Sequence, residues 1–81
     1  MRKAKVNALA KNVVSGWIGV YIDSITYGTE TAAITFAISL PHMSGIVYTC
    51  TRTVYDGFED ALEIIACDEL IEKTIASIWR V

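Results

Sequence analysis

Residues 31–40, TAAITFAISL, show the plainest pattern in the chain. Ala32, Ile34, Phe36, Ile38 and Leu40 alternate with Thr31, Thr35, Ala37 and Ser39. A period of two predicts a strand with one buried, apolar face. Pro41 has no N–H to donate to a ladder, so the strand should end there. Residues 17–27 are rich in β-branched and aromatic side chains and predict an earlier strand. Ile18, Val20 and Ile22 point one way in it; Trp17, Tyr21, Asp23 and Ile25 point the other. Gly19 predicts a bulge or the close approach of another backbone, and Gly28 a hairpin turn. Residues 46–55 predict a third strand, with Ile46, Tyr48, Cys50 and Val54 on one face and Val47, Thr49, Thr51 and Thr53 on the other. Arg52 falls on the apolar face and is expected near an edge.

The remaining segments have helical periodicity. In residues 56–67, DGFEDALEIIAC, Asp56 is placed to cap a helix and Glu59 to complete a capping box. Phe58, Ala61, Leu62 and Ile65 form an apolar stripe. Beyond Cys67 the phase slips, because Ile71, Ile75 and Ile78 point roughly opposite to Phe58, Leu62 and Ile65. A straight helix through both groups would expose one of them. The expectation is therefore a turn near Lys73 and a fourth strand over residues 74–81, TIASIWRV; a second helix capped by Asp68 is the alternative. In residues 1–14, Val6, Leu9, Ala10 and Val13 share a helical face, while Asn7 and Asn12 leave an edge strand open. These elements predict one α+β domain over residues 1–81. It has two layers, an antiparallel sheet of three to four strands on one main helix at about 57–67 or longer.

Composition adds a demand for burial. Hydrophobic residues make up 53% of the 81, yet no apolar run approaches the roughly 20 residues that span a bilayer. The first residues, with Arg2, Lys3, Lys5 and Lys11, do not form the apolar stretch of a secretory leader. No membrane association is expected, and the apolar surplus predicts a homo-oligomer, most simply a dimer through a strand edge or an aromatic face. Cys50 and Cys67 without a secretory leader fit a reducing, cytoplasmic setting and two packed thiols. Charge is polarised: residues 1–15 carry four of the seven basic residues, and residues 56–72 carry seven of the nine acids.

Candidate chemistry is sparse. The chain contains no Gly-rich phosphate loop, CxxC, HExxH or G-x-S-x-G. His42, the one histidine, would need a nucleophile such as Ser39, Ser44 or Cys50 and an orienting carboxylate, and no local spacing provides them. No catalytic residue, metal site or cofactor is expected. The carboxylates Glu59, Asp60, Glu63, Asp68, Glu69 and Glu72 form either a solvated helix face or a patch for a basic, nucleic-acid-binding protein surface. Trp17, Tyr21, Thr49, Thr51 and Thr53, with Thr35 and Tyr55, give a second candidate, an aromatic and threonine-rich sheet face suited to a protein partner. The expected function is non-enzymatic binding of another protein, as inhibitor or adaptor. One alternative is a nucleic-acid-binding module that uses the basic N-terminus and stacks bases on the sheet aromatics; the carboxylates oppose it. Another is an obligate homo-oligomer with a structural role.

Two resemblances bear on these choices. With both termini helical, the element order α-β-β-β-α is similar to that of the double-stranded-RNA-binding domain. That family docks phosphates on a lysine-rich start to its last helix, where this chain has DGFEDALE. In size, acidity and lack of motifs the chain also resembles the small inhibitors that phages direct against host defences, anti-CRISPR proteins among them. That likeness implies a protein target, met in some cases by imitating nucleic acid.

Overall fold

The computed structural model describes residues 1–43 and 45–80. Its elements run α1 (Lys3–Ser15), β1 (Val20–Tyr27), β2 (Thr31–Ile38), β3 (Tyr48–Tyr55) and α2 (Asp60–Trp79). The strands form one antiparallel sheet in the order β1-β2-β3, and both helices pack on one side of it. This is the α+β, two-layer architecture expected from the strand and helix patterns.

β2 supplies the floor of the core. Ala32, Ile34, Phe36 and Ile38 are buried, with Leu40 just beyond the strand. Val20 of β1 and Val54 of β3 flank them, and Val6, Leu9, Ala10 and Val13 of α1 close one half of the roof. The helical reading of the N-terminus is therefore the one realised. Gly19, at φ +81, brings its backbone against Ser39: a Cβ there would meet the Ser39 oxygen at 2.5 Å. The close approach lies at Gly19, whereas the bulge falls between Ile22 and Ser24. The extra residue, Asp23, reverses the alternation, so Ile25 and Tyr27 turn inward, not outward as a regular strand would have them.

Three expectations about the C-terminal half are corrected. Residues 74–79 continue α2, Arg80 caps it, and no fourth strand forms there; Val81 lies outside the described residues. The covering stripe of α2 is Ile64, Cys67, Ile71, Ile75 and Ile78, a complete helical series in one phase. Leu62 and Ile65, expected in the core, are 62% and 55% exposed. One helix thus runs through both groups and leaves Leu62 and Ile65 on the outside, while Phe58, ahead of its first turn, is half-buried against the core as expected. Asp56 does not cap it: its N–H donates to Glu30 O at 2.8 Å and prolongs the ladder. Gly57 then takes φ +79, which no helix admits, and α2 starts with Glu59 as a cap that makes no side-chain bond.

Candidate functional site

The carboxylates that the sequence groups on one helix face are dispersed around α2, and three of them are engaged within the domain. Glu63 reaches down to β3, where Arg52 donates from Nε and Nη2 to its two oxygens at 2.9 Å each. This bidentate pair explains how Arg52 occupies the helix side of the sheet: its charge is met at the β3 edge, and Glu63 in turn holds the guanidinium proton more firmly. Asp68 points the other way and accepts from Trp17 Nε1 at 2.9 Å. Asp60 lies 3.8 Å from Lys5 Nζ, which also donates to Phe58 O at 2.7 Å and sits 4.3 Å from the Phe58 ring centre. Asp60 is exposed despite this contact, as are Glu59, Glu69 and Glu72, for which no ion pair is found among the described residues.

The same contacts change the view of the basic terminus. The start of α1 folds against the start of α2, so Lys5 opposes Asp60 and the polarity seen along the chain is partly cancelled in space. An open pocket of about 320 Å³ lies at this junction, lined by Met1, Arg2, Lys5, Asp56, Gly57 and Phe58. Lys5 is already engaged there, and no nucleophile faces a base among these side chains.

Trp17 is corrected as a sheet-face residue. It precedes β1, is half-buried against the core and bonds to α2, so it belongs to the covered side. The other four residues of that candidate do share the open side, on which no element packs among the described residues. The register sets them in cross-strand rows: Tyr21, Ala37 and Thr49; then Ser24, Thr35 and Thr51; then Thr26, Ala33 and Thr53; and finally Thr31 beside Tyr55. Thr35 and Thr51 hydroxyls meet at 3.0 Å in the middle. Tyr21 and Tyr55, at opposite corners, are 61% and 68% exposed. Ile18 and Val47, at the end where β1 and β3 begin, are exposed as well. The one charge that the strands place on this side is Asp23, in the bulge at the β1 edge. The residues that sequence reasoning left out are Ala33, Ala37, Ser24 and Thr26. Their small size was the available signal, since it leaves the middle of the face flat.

The thiols are packed groups. Cys67 is fully buried, and burial, with Glu63 nearby, pushes its pKa up to about 11. Burial also raises Cys50, the Thr74 hydroxyl opposing the shift in part. Raised values keep both protonated and poorly nucleophilic. His42 stacks on Trp79 with ring centres 4.1 Å apart; Ser44 lies outside the described residues. Among the described residues no cluster of His, Cys, Asp and Glu could hold a metal ion, and no helix is long and apolar enough to cross a membrane. Searches found no family model, curated protein or solved structure that matches the chain.

Proposed function

We propose that this chain is a non-enzymatic, cytoplasmic protein-binding module, an inhibitor or adaptor, whose binding face is the open side of its sheet. The observation that supports this reading is a three-strand face built of threonine, alanine, serine and two tyrosines, with its only charge at one margin. Depletion of charge with tyrosine enrichment marks an interface core, whereas alanine and serine are not enriched there, so the missing charge and the two tyrosines carry the reading. The flat Thr/Ala centre admits close approach, and Tyr21 and Tyr55 supply large anchors with a polar tip.

The element order is that of the double-stranded-RNA-binding domain, but the start of α2 carries Asp60 and Glu63. Lys5 is drawn into the same acidic corner. These placements weigh against a duplex ligand. The exposed Glu59, Glu69 and Glu72 keep a rival surface for a basic protein in play. Affinity capture from cells that express the chain separates the two. Parent protein and a Glu59→Gln, Glu69→Gln, Glu72→Gln variant should retain the same partner, and Thr35→Lys should lose it. Loss with the glutamine variant and retention with Thr35→Lys would transfer the site to the helix.

A further inference from the structure

The two margins of the sheet are built differently. β1 is interrupted by its bulge and carries the charge of Asp23 there, two devices that discourage another strand from pairing. β3 has neither. Its eight residues, YTCTRTVY, pair with β2 without a break and include no Gly or Pro. Its single charge, Arg52, is tied to Glu63 on the helix side.

The ladder also shows which groups are open. Asp56 N–H donates to Glu30 O, and bonded pairs alternate along an antiparallel ladder. Even-numbered residues of β3 therefore bond to β2, and the N–H and C=O groups of Thr49, Thr51 and Thr53 point away from it. All three residues are exposed.

Beside this edge, α2 has an apolar row. Glu63 marks the flank of α2 toward β3 and Asp68 the flank toward the end of α1. At 100° per residue, Leu62, Ala66 and Leu70 descend from the outer surface toward the Glu63 flank, away from α1. Leu62 is 62% exposed, and Ala66 and Leu70 are half-exposed.

We infer that β3 pairs antiparallel with β3 of a second copy of this chain, forming a continuous six-stranded sheet, with the Leu62–Ala66–Leu70 row packed on its own symmetry mate. A two-fold axis normal to the sheet keeps both helix layers on one side, so strand edge and helix row are buried in one isologous contact. The occupant is a second copy because the contact closes on itself. Pairing β3 with the β1 edge of another molecule would propagate without end, and the Asp23 bulge obstructs it. Both open sheet faces remain free in the dimer.

Sedimentation equilibrium and amide hydrogen exchange test this together. The parent should sediment as a dimer at tens of micromolar, a concentration range of ordinary weak association. The amides of Thr49, Thr51 and Thr53, which have no partner among the described residues, should show protection that rises with concentration. Thr51→Pro removes an outward N–H that β2 does not use, so the fold tolerates it, and dimerisation should weaken by roughly tenfold or more. Leu70→Glu should weaken it likewise, and Thr35→Lys on the open face should leave it unchanged. A parent that stays monomeric at high micromolar concentration overturns the inference. So do freely exchanging Thr49, Thr51 and Thr53 amides, or a dimer abolished by Thr35→Lys and indifferent to Leu70→Glu. The exchange measurement needs no substitution and decides the matter even if Thr51→Pro fails to fold.

Discussion

The two faces of β2 are made from the same eight residues and have opposite characters. Ala32, Ile34, Phe36 and Ile38 look toward the helices and are at most 1% exposed. Thr31, Ala33, Thr35 and Ala37 look the other way, and no element covers them. The covered face is large and branched, filling the space under α1 and α2. The open face is small and flat, without the lysines and glutamates that make a sheet soluble. Stability is concentrated on the first face. The second takes no part in the packing of one described element on another.

Removing bulk from the covered face should give the largest effect. Phe36→Ala or Ile71→Ala deletes a side chain with no exposure and should cost about 3–5 kcal/mol, a large share of what so small a domain has. Leu62→Ala and Ile65→Ala should stay within about 0.5 kcal/mol of the parent. Denaturant melts at a concentration where all are monomeric check both halves. A large loss for Leu62→Ala there would mean that the outer stripe is core.

Next comes the response to alkali. Cys67 is raised from 9.0 to about 11, so between those values the unfolded chain releases a proton that the folded one keeps. Stability is thus fully present below pH 9 and falls as pH climbs through 11, by up to about 3 kcal/mol from this group. Melts across that interval should be steeper for the parent than for Cys67→Ala. Equal slopes would remove the burial of the thiol from the account.

A smaller loss is expected at the margin. Glu63→Gln replaces the charged partner of Arg52 and should cost about 1 kcal/mol, less in high salt, because the pair is only partly shielded from water. Melts of parent and variant at two ionic strengths read this out. The smallest effect belongs to the open face, where Thr51→Ala should change stability by under about 0.5 kcal/mol. That indifference would set the open face apart from the one that holds the fold.

How much of this was legible in the sequence follows the same division. The period-two run of β2 and the Val6, Leu9, Ala10, Val13 face of α1 each report burial on one side, so both elements could be read from pattern alone. α2 could not, because it carries two apolar stripes. Leu62 and Ile65 sit next to the acidic start, in phase with Phe58, and invite assignment to the core, whereas the stripe of α2 that is buried begins at Ile64. β-branched residues at 74–78 then suggested a strand, but tertiary packing of Ile75 and Ile78 outweighed local preference. The Asp23 bulge left no sign beyond an imperfect alternation, so the inward turn of Ile25 was hidden. Of the candidate site, Tyr21, Thr49, Thr51 and Thr53 were legible from alternation. Trp17 was not, since its place depends on Asp68, 51 residues away.

On the proposed reading, the charge-poor face of the sheet, and not the carboxylates of α2, meets the partner. Calorimetric titration of the captured partner against parent and Thr35→Lys tests it most directly. A lysine at the centre of the face must lose its hydration on binding, and the account predicts affinity at least roughly 100-fold weaker, with the melt of the free domain little changed. Unchanged affinity for Thr35→Lys, with the Glu59, Glu69, Glu72 glutamine variant weakened instead, would contradict it.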